Sequence, residues 1–453
     1  MEDPGDRLLN SADAAARLGV KRETLYAYVS RGLLSRRARP PGRQSWFALA
    51  DIERLLRERG SRAQHPPAGQ GSGVGSASAP ELEIVSSITV IDAGRLRYRG
   101  HDLDDLLGRG SAPPASFEAV AELLWTAELP SDQPRWAAAP ALLEATRTVL
   151  GAAPPTATLA DRLRIATAAA AAADPLRVDL RPAAVTATAR SLLVVLADSL
   201  ADASVASLAD SSAASLGRSP GTPAAAEPVD GLMGEEATVA GRVAAALGVA
   251  PRWVDALDTA LVVLADHELA TSTLAARVAA STRADPYQVV LAGMAAVSGP
   301  LHGSASARVG RLLRAAGEAG GPEAAIAAEL RELGAVAGFG QGQYPAGDPR
   351  APLLLAAARA AAGPTGEGAE VLERAAAVEG AVARRAAIAP NVDFGLATLV
   401  AAAGLSLEVG EALFALARTA GWVAHGLEEY AAPPLRYRLR AVPAAPAVRP
   451  TDG

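Results

Sequence analysis

Three features of this sequence predict a mainly helical protein. Hydrophobic residues make up 50% of the 453 residues, but aromatic residues only 4%, so small side chains such as alanine must pack helix against helix. β-Branched residues are spread thinly. From Glu81 onward, nearly every segment has apolar residues at helical spacing. The length predicts two or three domains, with enough apolar content to form their cores.

The sequence lacks residues that several other classes of protein need. It contains no cysteine, which excludes disulfides, thiolate metal sites and a cysteine nucleophile and agrees with a reducing compartment. The apolar stretch around LLVVLADSL has Arg190, Asp198 and Asp202 in or beside it, and the acidic start MEDPGD lacks the basic region of a signal peptide. We therefore predict a cytoplasmic protein without a membrane span.

Charge is distributed unevenly along the chain. The formal net charge is −6, yet the first 63 residues carry 13 lysines and arginines against 8 acidic residues. The rest of the chain must therefore be strongly acidic. This asymmetry predicts an anionic partner for the N-terminal part alone.

The first 62 residues contain clear turn signals. The stretch SADAAARLGVKRETLYAYVS predicts two short helices separated by Gly19 and Val20, which is a helix-turn-helix. The stretch LLSRRARPPGRQSWF predicts a hairpin around its Pro-Pro-Gly turn, before a third helix that starts near Asp51. The combination resembles the winged helix-turn-helix of the MerR and excisionase type, and we assign residues 1–62 to this domain.

This resemblance implies DNA as the anionic partner. In such domains the second helix enters the major groove and the wing touches the phosphates. The residues that the resemblance places near DNA are Lys21, Arg22, Thr24, Tyr26, Arg36, Arg37, Arg39 and Arg43. The alternative is a small helical bundle with a solvated basic face, or a platform for another protein. The arginines of the predicted wing favour nucleic acid, because they exceed what solubility requires.

A linker separates this domain from a long helical body. Residues 63–80 are rich in Gly, Ser and Pro and predict a flexible segment. The body, residues 81–447, opens with a predicted strand pair at LEIVSSITVID and LRYRG, and residues 211–231 predict a loop or insert because they lack periodicity. Ionisable or glycine-rich residues concentrate in five of its segments: ADHELATST, SGPLHGSASARV, GFGQGQYPAGDPRA, APNVDFG and FALARTAGWVAH.

Taken singly, each of these segments fits an ordinary structural role. HELAT does not have the spacing of a two-histidine zinc motif, because Thr271 stands where the second histidine would be, so we predict no metal site. His302 lies in a Gly-Pro turn at a helix start, and Asp393 fits the N-cap of a helix that begins near Leu396. Arg418 lies in an apolar helical run and needs an anionic partner if it is buried.

Taken together and in order, the segments resemble one family. The series LRYRGHDLDDLL, FEAVAELLWTAELP, ADHELATST, GPLHGSAS, GFGQGQYPAGDPRA, NVDFG and ARTAGWVAH resembles the citrate synthases over residues 81–440. The resemblance implies a helical fold with a large domain and a small domain, the small one at about residues 305–398. It also implies an obligate homodimer that closes over oxaloacetate and acetyl-CoA. A heterodimer with a paralogue is the alternative.

The resemblance implies a role for each site residue. His302 hydrogen-bonds the thioester carbonyl as the enol forms, and Asp393 takes the methyl proton. The residues implied to hold the carboxylates of oxaloacetate are His267, Arg350, Arg418 and, reaching across to the partner subunit's site, Arg436. Arginine suits a dicarboxylate because its planar guanidinium can donate two parallel hydrogen bonds. No metal or redox cofactor takes part, and acetyl-CoA is the co-substrate.

One residue of the predicted catalytic centre departs from the family. Where the family has Gly-Phe-Gly-His, with a histidine that polarises the ketone of oxaloacetate, this chain has Gln341. A glutamine amide donates a neutral hydrogen bond but cannot become cationic. Because losing one donor to a developing oxyanion costs roughly 100- to 1,000-fold in rate, we predict impaired rather than abolished turnover.

The predicted CoA site also differs from the family. Basic residues that lie near the CoA phosphates in the family are replaced by Gly342, Pro345 and Ala387. Arg384 and Arg385 are candidates to serve instead, and surface charge is the alternative.

Two functions of different class follow. The first is an enzyme that condenses acetyl-CoA with oxaloacetate or a related 2-oxo acid and hydrolyses the product to citrate and CoA. The second is a transcriptional regulator, in which a degenerate citrate synthase body senses a metabolite and the helix-turn-helix binds DNA. The retention of His302, Asp393 and the arginines favours the enzyme.

Overall fold

The computed structural model of the chain describes residues 84–110, 113–201, 237–299 and 305–437, together with residues 8–11, 14, 17 and 46–48 near the N-terminus. The chain divides into two compact units, Met1–Pro80 and Glu81–Gly453. The described part of the second unit is mostly helical, which confirms the predicted class of fold. The predicted insert at residues 211–231 lies outside the described residues.

The first unit contains a short antiparallel pair of strands. Strand β1 (Leu8–Asn10) pairs with β2 (Trp46–Ala48), and Leu9 lies opposite Phe47. The sequence predicts β2 as the second strand of a hairpin, and the structure pairs it with β1, a segment not predicted as a strand. The buried side chain of Phe47 anchors this pair. The rest of the hairpin and the predicted recognition helix lie outside the described residues.

The second unit opens with the predicted strand pair, extended by a short third strand. The strands form one antiparallel sheet in the order β3 (Thr89–Asp92), β4 (Arg95–Tyr98) and β5 (His101–Asp102). Ala93 and Gly94 both have positive φ, as the tight turn of a two-residue hairpin requires. The buried Tyr98 hydroxyl donates to the carbonyl oxygens of Val262 and Asp266, each 3.1 Å away. These bonds tie the sheet to the segment that carries His267.

Helices account for most of the remaining described residues. They are α1 (Leu103–Leu106), α2 (Phe117–Thr126), α3 (Pro140–Gly151), α4 (Leu159–Ala173), α5 (Pro182–Ser199), α6 (Val239–Ala246), α7 (Val254–Leu264), α8 (Thr271–Ser281), α9 (Pro286–Val297), α10 (Ala305–Ala315), α11 (Gly321–Leu333), α12 (Arg350–Ala362), α13 (Glu367–Ala383), α14 (Val392–Ala402) and α15 (Glu408–Ala431). Local sequence sets several of their starts. For example, the Thr158 side chain and that of Asp161 form a reciprocal capping box at the start of α4. None of these helices has both the length and the apolar character that a membrane crossing requires.

Helix α15 runs through the main core and contacts α2, α4, α5, α7, α8 and α9. Its neighbours approach closely because alanine and glycine occupy much of its surface. At Gly421 the helix touches the chain that follows α7, where the Gly421 amide donates to the Ala265 carbonyl at 3.1 Å. A Cβ at position 421 would lie 2.6 Å from that oxygen and 2.3 Å from the Asp266 carboxylate. Only glycine permits this approach.

A second, smaller core involves residues between 309 and 397. It includes Val309 of α10, Val378 of α13 and Phe394 of α14, all fully buried. Phe339 packs on Phe394, with ring centroids 4.9 Å apart. The segment GFGQGQYPAGDPRA, residues 338–351, is called the glycine loop below. It therefore begins on the surface of this second core.

The start of the glycine loop is held beside the start of α14. The Gly340 amide donates to the Ala389 carbonyl at 2.9 Å, and the Asn391 amide donates to the Gly338 carbonyl at 2.8 Å. Gly338 has a φ of 81°, and a Cβ there would lie 2.7 Å from Val309. Position 338 needs glycine both for its positive φ and for its closeness to Val309. The two hydrogen bonds bring Asp393 close to the glycine loop.

Candidate active site

Arg350 and Asp348 form a buried ion pair at the end of the glycine loop. The Asp348 carboxylate accepts from Arg350 Nε at 2.9 Å and from its terminal nitrogen at 2.8 Å. The same carboxylate accepts from the Val392 amide at 3.0 Å. Asp348 thus joins the start of α12 to the start of α14. Asp348 stands in the motif GFGQGQYPAGDPRA, but its role is not apparent from the sequence.

Asp393 lies in the first turn of α14 and is not its N-cap, contrary to the structural alternative considered from the sequence. The helix begins at Val392, and the side chain of Asn391 accepts from the amides of Asp393 and Phe394. Because Asn391 performs the capping, the Asp393 carboxylate is left available for chemistry. Burial raises the pKa of Asp393 to about 6, an effect that Arg350 opposes and Asp348 reinforces.

His267 lies in a tight turn between α7 and α8. The turn is stabilised by Glu268, which adopts a positive φ of 51° and accepts a hydrogen bond from the Ile91 amide. The imidazole is buried, and its Nε2 is 2.9 Å from the hydroxyl of Tyr344 in the glycine loop. A non-glycine residue in the left-handed region costs energy, so the surrounding contacts must hold this turn.

Arg418 projects from α15 and is almost fully buried. Its Nε donates to the Leu264 carbonyl at 2.8 Å, and its guanidinium lies 4.6 Å from the Phe414 ring centroid. Burial lowers the pKa of Arg418 below its ordinary value, and the carboxylate of Asp266 opposes that change. Asp266 thus supplies negative charge that favours the charged form of Arg418, although no described hydrogen bond joins the two side chains.

A buried chain of polar side chains supports Asp266. His425 Nε2 is 3.3 Å from the Asp266 carboxylate, and His425 Nδ1 is 2.6 Å from a terminal nitrogen of Arg277. Because a guanidinium can only donate, Nδ1 must accept and Nε2 must carry the hydrogen. This tautomer aims an N–H at Asp266, which also accepts from the Thr89 hydroxyl at 2.6 Å. The sequence places His425 on the face of Arg418 but does not reveal Arg277 as its partner.

Arg436 lies at the other end of this chain of polar side chains, next to Glu429. Its Nε donates to the Glu429 carboxylate at 2.8 Å, and the neighbouring Tyr437 hydroxyl donates to the same carboxylate at 2.6 Å. Arg277 also pairs with Glu429. Within one chain, Arg436 therefore belongs to a polar cluster near the end of α15.

Gln341 is exposed, and within the described residues its side chain has no hydrogen-bond partner. The candidates for CoA phosphates have contacts of their own: Arg384 pairs with Glu323 at 2.7 Å, and Arg385 donates to the Ala381 carbonyl. His302 lies outside the described residues. So do all eight residues predicted to contact DNA, from Lys21 to Arg43.

The structure thus brings together four of the residues singled out from the sequence. The charge of Arg350 lowers the pKa of both Asp393 and Arg418. The His267 imidazole contacts Tyr344 of the glycine loop, which leads into Arg350. We call His267, Arg350 and Arg418 the basic cluster. With Asp393 beside it, the cluster can attract a small dicarboxylate and place a carboxylate base next to it.

Comparison with known families identifies the class of protein that carries this arrangement. Residues 82–440 match the citrate synthase family through its C-terminal domain, and residues 8–60 match a helix-turn-helix domain. The chain belongs to the citrate synthase family, with a helix-turn-helix domain at its N-terminus. Both resemblances drawn from the sequence are confirmed.

Individual relatives agree with this assignment. Citrate synthase 2 of Bacillus subtilis is 32% identical over 370 residues, which cover 77% of this chain and 90% of the relative. A putative citrate synthase 2 of Mycobacterium tuberculosis is 39% identical over 180 residues, 40% of this chain and 48% of the relative. Among solved structures, a complex of Thermoplasma acidophilum citrate synthase with carboxymethyl coenzyme A and oxaloacetate has a TM-score of 0.61 at 23% identity. That match covers 82% of this chain and 96% of the other.

Proposed function

We propose that this protein is an acyltransferase of the citrate synthase type, which condenses acetyl-CoA with oxaloacetate or a related 2-oxo acid. The observation that carries this proposal is the basic cluster beside Asp393. Two buried guanidiniums and an imidazole suit a dicarboxylate, and a partly buried carboxyl with a raised pKa suits a base. The Thermoplasma relative, whose structure holds oxaloacetate and a CoA derivative, supports this choice of substrates.

In the proposed reaction Asp393 removes a proton from the methyl group of acetyl-CoA. A thioester methyl is weakly acidic, so a donor at the thioester oxygen must stabilise the developing enolate, and this role falls to His302. The enol then attacks the ketone of oxaloacetate, whose carboxylates are held by the basic cluster. Water hydrolyses the resulting thioester to give citrate and CoA.

A thiol-release assay tests this function. Wild type, Asp393→Ala and Gln341→His are each supplied with acetyl-CoA and oxaloacetate, and the appearance of free CoA is followed. Asp393→Ala should lose turnover because the base is gone. Gln341→His should raise turnover because an imidazole is a better donor to the ketone oxygen. A wild type without turnover would contradict the proposal.

A second candidate is a metabolite-responsive DNA-binding regulator, which the helix-turn-helix match at residues 8–60 favours. The basic excess of the first 63 residues suits DNA phosphates. This function predicts salt-sensitive binding to DNA upstream of the protein's own gene, with an affinity that oxaloacetate, citrate or an acyl-CoA alters. DNA binding without turnover would favour the regulator over the enzyme.

We also propose that the protein works as a homodimer through α8. Leu274 and Val278 lie one turn apart on this helix, and more than a third of each side chain is exposed, as is that of the preceding Leu269. Such an apolar stripe suits burial against a second copy. In that dimer Arg436 would leave Glu429 and reach the partner's substrate. The heterodimer with a paralogue remains the alternative.

A further inference from the structure

Tyr344 is an uncharged polar side chain of the glycine loop that faces the basic cluster. It is only 2% exposed. Its hydroxyl is 2.9 Å from His267 Nε2, and its ring centroid is 5.6 Å from the guanidinium carbon of Arg350. Gln341, which replaces the family's histidine, lies three residues earlier and is exposed to solvent. The loop therefore turns the Tyr344 phenol, and not the Gln341 side chain, toward the proposed oxaloacetate site.

The proposed reaction needs a hydrogen-bond donor at the ketone oxygen. This oxygen takes up negative charge when the new carbon–carbon bond forms, and a fixed donor there is worth roughly 100- to 1,000-fold in rate. A tyrosine hydroxyl is such a donor as long as it keeps its proton. Burial raises the pKa of Tyr344 above its ordinary value, so the hydroxyl stays protonated at neutral pH.

We propose that Tyr344 donates to the ketone oxygen of the 2-oxo acid, in place of the imidazole that position 341 lacks. This inference rests on the proposed function. His267 holds the phenol in position, because its Nε2 can donate to the phenol oxygen and thereby direct the phenolic hydrogen away from the imidazole. His267 would thus both bind a substrate carboxylate and hold Tyr344 in position.

The step balances without any further reactant. The electron pair of the enol forms the bond to the ketone carbon, and the π pair of the C=O bond moves to its oxygen. As this bond forms, the enol hydroxyl returns its proton to the donor at the thioester oxygen, and the thioester carbonyl re-forms. The Tyr344 proton passes to that oxygen, which gives the tertiary hydroxyl of the product. The phenolate beside Arg350 then regains a proton from solvent, while Asp393 releases to solvent the proton that it took from the methyl group, so both side chains return to their starting states.

The competing explanation is that Tyr344 is only structural and keeps the His267 imidazole in place. A structural role would weaken substrate binding and stability together, whereas a donor role acts on the transition state and lowers kcat with little change in KM. The two explanations also differ in whether a new imidazole at position 341 can compensate.

The test compares wild type, Tyr344→Phe, the double variant Tyr344→Phe/Gln341→His, and Tyr430→Phe. Tyr430 is the matched control, because its partly buried hydroxyl donates to the Ala284 carbonyl and no described hydrogen bond joins it to the basic cluster. We expect Tyr344→Phe to lower kcat by about 100- to 1,000-fold with a similar KM for oxaloacetate, and Tyr430→Phe to match wild type. Recovery of activity in the double variant would support the inference further, because it would show that the lost function is that of a donor to the ketone oxygen. If wild type is active, equal kcat values for Tyr344→Phe and Tyr430→Phe would overturn the inference.

A second readout does not depend on turnover. Oxaloacetate labelled with carbon-13 at its ketone is bound to each variant, and the ketone resonance is compared with that of free oxaloacetate. Polarisation by Tyr344 should move the resonance downfield in wild type and not in Tyr344→Phe. If wild type lacks turnover but retains this difference, the proposed function fails and the inference stands. An unshifted resonance in wild type, or oxaloacetate that does not bind, overturns the inference.

Discussion

Asp348 and Asp393 are two neighbouring carboxylates with opposite environments. Asp348 accepts two hydrogen bonds from the Arg350 guanidinium and one from the Val392 amide, and these bonds stabilise its charged form. Within the described residues, the Asp393 carboxylate has no hydrogen-bond donor, and burial raises its pKa to about 6. This difference in environment supports a structural role for Asp348 and the proposed role of base for Asp393.

This difference predicts the acid limb of the pH–rate profile. A carboxyl with a raised pKa is protonated below that pKa, so the base form of Asp393 is lost as the pH falls through about 6. We expect kcat/KM to be level above pH 7 and to fall about tenfold per pH unit below the pKa. Steady-state kinetics between pH 4.5 and about 8 check this, and circular dichroism at each pH verifies that the chain remains folded. A profile that stays level down to pH 4.5 would exclude Asp393 with this pKa as the base.

Helix α15 is the element on which the site depends most. It carries Arg418 and His425, and it approaches the His267 turn closely at Gly421. The length and the apolar pattern of this helix are evident from sequence. Its contact with the 264–267 segment is not, because the partners are more than 150 residues apart in the chain.

The close approach predicts the effect of Gly421→Ala. The new methyl group would meet the Asp266 carboxylate at 2.3 Å and the Ala265 carbonyl at 2.6 Å, so α15 and the His267 turn must separate. We expect a loss of about 1–3 kcal/mol in the free energy of unfolding and a higher KM for oxaloacetate. Urea denaturation and steady-state kinetics measure both effects.

Gly380→Ala is the matched control. Position 380 is also a glycine within a helix, but the nearest atom to a new Cβ there is a side-chain nitrogen of Arg384 at 3.5 Å. Because alanine favours helix over glycine by about 1 kcal/mol, this variant should be as stable as wild type or more so. A Gly421→Ala protein that behaves like Gly380→Ala would contradict the close packing of α15.

At the level of the complete protein, the proposed homodimer would complete the site with Arg436. Within one chain, Arg436 is held by Glu429, and no described hydrogen bond joins it directly to the basic cluster. The apolar surface that we assign to the partner subunit is formed by Leu269, Leu274 and Val278 and is called the α8 stripe.

Leu274→Arg tests the dimer. A charged side chain in the centre of the α8 stripe would have to be buried without a partner, so we expect a monomeric mass in light scattering and loss of turnover. Val149→Arg is the control, because Val149 is also an exposed apolar residue on a helix but lies outside the stripe. A Leu274→Arg protein that remains dimeric would place the interface elsewhere.

The sequence by itself determined the helical class of fold, the opening strand pair, the family and its order of motifs. These are local properties: apolar spacing, turn glycines and short motifs are complete within a few residues. Only the tertiary structure decided which polar groups meet. It made Asn391 the cap of α14, joined Arg277 to His425 across 148 residues, and turned Tyr344 inward while Gln341 stayed exposed. Burial forces polar groups to find partners, and packing determines which partners lie within reach.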